Sequence, residues 1–88
     1  MYLHLGKSYA VSDKYILGIF DFDAVTDVGS ATIEFLENAE KNGRVDVISA
    51  DLPRSFIVTL DRVYISPIAA TTLQQRLRRN KRFLSKGK

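Results

Sequence analysis

The chain of 88 residues contains no cysteine, no tryptophan and a single histidine. Without cysteine, neither disulfides nor thiolate metal sites can stabilise so small a core. The lone His4 excludes a multi-histidine metal site and gives a Ser/His/Asp triad little support, so a strand histidine making an ordinary hydrogen bond is the better interpretation. These absences leave self-association as the remaining common support for a domain of this size.

Catalytic and cofactor motifs are also missing. The sequence has no G-x-G-x-x-G, no Walker-type glycine loop and no G-x-S-x-G. Glu34, Glu37 and Glu40 fall on the polar face of a predicted helix, where solvation explains them. A calcium loop is only partly matched, because threonine occupies the glycine and glutamate positions that belong with Asp21, Asp23 and Asp27. The sequence therefore predicts no enzyme, no cofactor and no metal site.

The sequence also has no long apolar run and no recognisable leader. No segment approaches the roughly 18–20 apolar residues that a membrane-spanning helix needs. The residues from Met1 to Lys7 lack the basic-then-apolar order of a signal peptide. We therefore expect a cytoplasmic protein with no membrane partner.

The most apolar part of the chain is a predicted β-hairpin. Its two strands, Ser55 to Leu60 and Val63 to Ser66, are rich in the β-branched and aromatic residues that suit a half-buried pleated surface. Pro53 and Pro67 bracket the pair at positions where a missing N–H does little harm. We expect this hairpin at the centre of the sheet, with Leu60 to Arg62 as its loop.

The rest of the chain supplies four further strands and two helices. A helix over Ser30 to Asn42 has Ser30 as N-cap and Gly43 as the residue that ends it. Gly18, inside an apolar strand, marks a bulge or a close backbone approach. The other predicted strands are Tyr2 to Leu5, Ser8 to Val11, Tyr15 to Phe20 and Val45 to Ile48. Leucines at helical spacing then indicate a second helix from about Ala70 to Asn80, with a frayed end.

The order of elements is β-β-β-α-β-β-β-α, with most strands joined by short turns. This order predicts an α+β fold with a small, mostly antiparallel sheet of about six short strands. The first helix, with its apolar stripe, is expected to cover the sheet, and the second is a basic C-terminal helix. The exposed edges of such a sheet would be closed if copies of the chain paired in a ring or another homo-oligomer.

The net charge of +3 is unevenly distributed along the chain. Residues 1–75 carry a net charge of −4 and residues 76–88 carry +7. Basic side chains recur on one face of the second helix, which would present Arg76, Arg79, Arg82 and Lys86, flanked by Arg78 and Lys81. One alternative is a solvated tail. Another is a helix end whose cations complement the helix dipole, but four or more cations exceed what that effect needs. Because phosphate oxygens suit a row of arginine forks, the sequence favours a polyanion partner, with DNA and RNA both open.

Several short segments, in order and spacing, resemble the RemA/RemB extracellular-matrix regulators of Gram-positive bacteria. Leu52 to Val58 and Val63 to Ser66 carry the resemblance at the hairpin, and Met1 to Gly6 resembles the RemB branch in particular. Further short matches are Ile19-Phe20-Asp21, Phe35-Leu36 with Ala39-Glu40, and Thr72-Leu73. The resemblance covers residues 1–77, which we take as a single α+β domain. Residues 78–88 are a basic extension of the last helix, with disorder left open.

The resemblance implies a small subunit that assembles into a ring. RemA-type members are DNA-binding transcriptional regulators of biofilm-matrix genes. By position, Arg54 matches a basic residue in the loop before the hairpin, and Lys14 lies near another basic position. The sequence departs from the RemA type where an adjacent arginine pair is replaced by Asp51 and Leu52.

Two functions are consistent with this sequence. The first is a homo-oligomeric DNA-binding transcriptional regulator that contacts phosphate through Lys14, Arg54, Arg76, Arg78, Arg79 and Arg82. The second is an oligomeric interaction module that binds a protein partner through a sheet edge and aromatics such as Tyr9 and Tyr15. RNA binding by the basic end is a further alternative.

Overall fold

The predicted order of six strands and two helices is confirmed in the computed structural model, which describes residues 2–22 and 30–86. The strands are β1 (Tyr2–Gly6), β2 (Tyr9–Ser12), β3 (Ile16–Asp21), β4 (Val45–Val47), β5 (Ser55–Thr59) and β6 (Val63–Ser66). The helices are α1 (Ser30–Lys41) and α2 (Ala70–Lys86), and a short 3-10 helix, Asp13–Tyr15, joins β2 to β3. Side chains are described for these residues except Ser30 and residues 80–86. The predicted N-cap role of Ser30 and the predicted turn residues Asp23 and Asp27 thus lie outside the described part.

The six strands form two sheets rather than the single sheet expected from the sequence. A four-stranded sheet has the order β3-β5-β6-β4, and β1 and β2 form a separate antiparallel pair. The predicted hairpin supplies the two central strands of the larger sheet, which confirms its central place. Within that sheet β4 pairs with β6 in parallel, while the β3–β5 and β5–β6 pairs are antiparallel. β3 and β4 therefore run in the same direction, and their connection through α1 is the crossover that this arrangement requires.

The β1–β2 pair lies over one face of the larger sheet, which is why it does not extend that sheet. Leu3 and Leu5 alternate along β1 and are completely buried with Ile57 of β5 and Leu73 of α2. Packing these two leucines against the sheet removes their apolar surface from water, which favours this placement. The hydroxyl of Ser66 ties the two layers together by donating to the carbonyl of Leu5 at 2.6 Å.

The opposite face of the larger sheet carries a cross-strand row of apolar residues. The register aligns Phe20, Phe56, Ile65 and Val47 across the four strands. Phe56 is buried and stacks on Phe20, with ring centroids 5.1 Å apart. The predicted irregularity at Gly18 is confirmed, because the β3–β5 register shifts between Ile16 and Gly18.

Helix α1 ends as its sequence predicts but does not bury its apolar stripe. The N–H of Gly43, at φ +67°, donates to Glu40, and that of Arg44 donates to Ala39, which is the Schellman pattern. However, no described side chain of α1 is fully buried, and Phe35 remains 45% exposed. The prediction that this helix covers the sheet is therefore not confirmed.

Helix α2 is longer than predicted, since it extends to Lys86 rather than ending near Asn80. The segment from Gln74 to Leu84 is dense in arginine, leucine, lysine and glutamine, all good helix formers. No glycine or proline interrupts it before Gly87. The local sequence thus favours a continuous basic helix.

Candidate nucleic-acid interface

The first two turns of α2 fix its basic side chains relative to the core. Ala70 and Leu73 are buried, and Leu73 belongs to the central apolar cluster. The Gln74 amide donates to the carbonyl of Ile19 on β3 at 3.3 Å. Because one face of the helix is held in this way, the following arginines are presented by a rigid element rather than by a loop.

Arg76 and Arg79, three residues apart, share one side of α2, whereas Arg78 points to a different side. Arg76 is partly exposed, and Arg78 and Arg79 are exposed. Arg76 donates from its guanidinium to the carbonyl of His4 on β1 at 3.3 Å. Within residues 2–22 and 31–79, no carboxylate forms an ion pair with any of these three arginines. Their charges are therefore available to an anionic partner.

Strand β1 completes an open recess beside this helix. Tyr2, Leu3, His4, Arg76 and Arg79 line it, and its volume is about 420 Å³. Tyr2 and His4 alternate with the buried leucines of β1, so both side chains lie on the outer side of the strand. The predicted stripe thus gains two neighbours that sequence reasoning did not assign to the site. The alternation of β1 indicated which residues point outward, but nothing local indicated that α2 would lie beside them.

The other two predicted basic residues are not brought to this recess by the described contacts. Arg54 is exposed, and its backbone is held by a bond from its N–H to Ser66 and one from Phe22 to its carbonyl. Lys14 is exposed on the 3-10 helix, whose Tyr15 carbonyl accepts from Leu60 just beyond β5. Arg54 and Lys14 therefore lie near opposite ends of β5, a strand about 17 Å long at 3.3 Å per residue. The side chain of Arg82 lies outside the described part.

The four-stranded sheet carries an ion pair at the β4–β6 end. The guanidinium of Arg62 donates to the carboxylate of Asp46 at 2.6 Å, and each side chain is about one-third exposed. The pKa of Arg62 is raised by this hydrogen bond and by the charge of Asp46. Arg62 therefore has a carboxylate partner, which Arg76, Arg78 and Arg79 lack among the residues with described side chains.

Neither a metal centre nor a membrane span is found in the described part of the chain. Among residues 2–22 and 30–86 no three metal-ligating side chains come together, and no helix is both long and apolar enough to cross a bilayer. Of the three aspartates that resemble a calcium loop, only Asp21 lies in the described part.

Comparison with known proteins identifies the family. Residues 2–77 match the model of a family described as extracellular matrix regulatory protein A-like. The chain is 38% identical over 76 residues to extracellular matrix regulatory protein B of Bacillus subtilis (strain 168). That match covers 86% of this chain and 89% of the relative. Both descriptions are of a regulatory protein, and the resemblance inferred from the sequence is confirmed. The chain belongs to the RemA-like family.

Proposed function

We propose that this protein is a homo-oligomeric, DNA-binding regulator of extracellular-matrix genes. The regulatory role is supported by the family and by the name of the Bacillus relative. The observation that carries DNA binding is the set of three neighbouring arginines on α2, anchored to the core and without carboxylate partners in the described residues. These are Arg76, Arg78 and Arg79.

Arginines in this arrangement suit a phosphate backbone better than a single small anion. Each guanidinium has five N–H donors in a fixed fork, and each phosphate contact releases bound counterions from the DNA. Neighbouring positions on a helix place such forks at successive heights along its axis. Recognition in this proposal rests on DNA shape and bending rather than on direct reading of base edges.

Self-association is part of the proposal because the described surface leaves large apolar side chains in water. Leu17 on the edge strand β3 is 64% exposed, and Val47 on the opposite edge strand β4 is 58% exposed. Leu17 and Phe35 also line an apolar groove of about 330 Å³ between α1 and the sheet. A second copy of this small subunit would cover such surface, and we propose a ring of such copies. In a ring, each basic site would be repeated in every subunit, so that individually weak contacts add through effective concentration.

Fluorescence anisotropy with a labelled DNA duplex at several salt concentrations tests the proposal. The variant R76Q/R78Q/R79Q is expected to bind at least tenfold more weakly. Its slope of log K against log salt should be shallower by about 2.7, at 0.9 for each lost contact. The matched control is K7Q/K41Q/R44Q, which removes the same charge from exposed positions elsewhere.

The outcomes separate the proposal from its alternatives. Equal losses in both triple variants would show a response to net charge alone and contradict a site on α2. Tighter binding of single-stranded RNA than of duplex DNA would favour the RNA alternative. Sedimentation as a monomer at micromolar concentration would refute the ring.

Protein binding is the second candidate function, and the exposed apolar surface favours it. The predicted contact residue Tyr15 is 54% exposed, whereas Tyr9 is partly buried and packs edge-on against Tyr64 at 6.1 Å. Tyr15 is thus the better placed of the two for a partner. An intact oligomer that binds no duplex at low salt would make this candidate the leading one.

A further inference from the structure

We propose that the recess between β1 and α2 is a phosphate site to which β1 contributes Tyr2 and His4, beside Arg76 and Arg79 of α2. The inference rests on the proposed function in that it shares the two arginines. It goes further by making the N-terminal hairpin part of the ligand contact. The ligand chemistry is a phosphate group, whose source is either a nucleic-acid backbone or a free phosphate ester.

The recess is sized and shaped for such a group with part of what carries it. Its volume of about 420 Å³ falls within the range of about 300–1,000 Å³ that is typical of small-molecule sites. Apart from Leu3, the residues that line it are Arg76 and Arg79 of α2 and Tyr2 and His4 of β1, whose side chains carry guanidinium, phenol and imidazole groups. Four side chains that each carry hydrogen-bond donors can bind several oxygens of one phosphate. A planar carboxylate has only two oxygens and would use fewer of these donors.

The arginines are placed to bind without first breaking an ion pair. Arg76 uses one nitrogen to donate to the carbonyl of His4, which orients the guanidinium beside the strand. Its remaining donors stay available, since a guanidinium carries five N–H groups. In the part of the chain with described side chains, Arg79 has no carboxylate within ion-pair distance. Binding therefore breaks no salt bridge of Arg76 or Arg79 with the residues whose side chains are described.

The contribution of β1 follows from its alternation. Leu3 and Leu5 face the core and hold the strand in place, so Tyr2 and His4 are fixed on the opposite side. Tyr2 is 67% exposed and is one of the residues that line the recess. A large exposed aromatic ring beside two arginines offers a surface for a ribose or a base attached to the phosphate.

The variant Y2F/H4Q tests the inference, because it alters both β1 donors without changing the net charge when His4 is neutral. Both side chains are exposed, so the variant is expected to fold, with a melting temperature close to that of the unchanged protein. Isothermal titration would use inorganic phosphate and adenosine monophosphate, and anisotropy would use the DNA duplex. The control Y15F alters a comparably exposed tyrosine that does not line the recess.

Some of the phosphate ligands will bind to the unchanged protein. For each of these, we expect Y2F/H4Q to weaken binding at least threefold and Y15F to leave binding unchanged. If DNA binding depends on Arg76 and Arg79 but not on Tyr2 or His4, the proposed function stands and this inference is wrong. If the unchanged protein binds phosphate or nucleotide but no DNA, and Y2F/H4Q weakens that binding, the inference stands without the proposed function. A protein that binds neither phosphate, nucleotide nor DNA would overturn the inference.

Discussion

The ring of Phe20 occupies the space that a side chain on Gly18 would need. A Cβ atom at Gly18 would lie 2.6 Å from Cε2 and 2.7 Å from Cζ of that ring. The same ring stacks on the buried Phe56 with an interplanar angle of 20°. Gly18 therefore permits the aromatic pair at the point where β3 is bulged.

Replacing Gly18 by alanine is expected to destabilise the protein by about 1 kcal/mol. Phe20 is partly exposed, so its ring can swing away from the new methyl group, but it then loses its stacking on Phe56, which is worth about 0.5–1.5 kcal/mol. Urea unfolding at a fixed protein concentration would measure the free energy of unfolding. In a background that already carries Phe20→Ala, most of this cost should disappear.

The control for this double-mutant cycle is Gly43→Ala. Gly43 has φ +67° and open space where a Cβ would stand, so its substitution costs about 1–2 kcal/mol through backbone conformation alone. That cost should be the same with or without Phe20. If the cost of Gly18→Ala is also independent of Phe20, the contact between the two residues is not its cause.

Ser66 joins the two sheets, and its replacement by alanine is expected to cost about 1–3 kcal/mol. Its hydroxyl is fully buried, donates to the carbonyl of Leu5 and accepts from the N–H of Ile68 at 3.0 Å. Without it, the buried carbonyl loses this donor. In this variant, the rate of amide hydrogen exchange should increase more in β1 and β2 than in β5. Ser49→Ala removes only an exposed bond to the N–H of Asp51 and should cost less than about 0.5 kcal/mol.

The order of elements could be predicted because it depends on local signals. Alternation in β1, β-branched density in β5 and β6, and Gly43 after an amphipathic stretch each fix one element within a few residues. The division into two sheets depends instead on which surface Leu3 and Leu5 bury. The bond between Ser66 and Leu5 spans 61 residues, and no local pattern specifies such a pairing.

The candidate site, too, was predictable only where it depends on local sequence signals. The spacing of Arg76 and Arg79 on one helix was readable from the sequence, since side chains three apart share a face. Tyr2 and His4 were not assigned to the site because Arg76 meets His4 across 72 residues. The sequence also grouped Arg54 and Lys14 with the helix, although their backbones are held at opposite ends of β5.

The ion pair between Asp46 and Arg62 is expected to contribute little to stability. Both side chains are about one-third exposed, and such pairs contribute about 0.2–1 kcal/mol. Asp46→Asn should therefore lower the free energy of unfolding by less than about 1 kcal/mol, and less still in 1 M salt. Asp51→Asn, at an exposed carboxylate, is the control. A loss of several kcal/mol in the Asp46 variant would indicate a buried charge that the geometry does not show.

Tyr64 is expected to make the protein less stable at alkaline pH. Burial, followed by the negative charge of Asp46, raises the pKa of Tyr64 above its ordinary value of 10.0. Because its pKa is raised on folding, the phenol loses its proton at lower pH in the unfolded state than in the folded state. Its contribution to the free energy of unfolding is therefore fully present below about pH 10 and is lost as pH rises through the raised pKa.

Absorbance titration of tyrosinate and urea unfolding at pH 8 to 11 would measure both effects. Tyr64→Phe should remove a tyrosine component that titrates above pH 10, and it should make the alkaline fall in unfolding free energy smaller. Asp46→Asn should lower the pKa of Tyr64 without bringing it to its ordinary value, because burial is the larger cause. An unchanged alkaline fall in Tyr64→Phe would contradict the link between this phenol and stability.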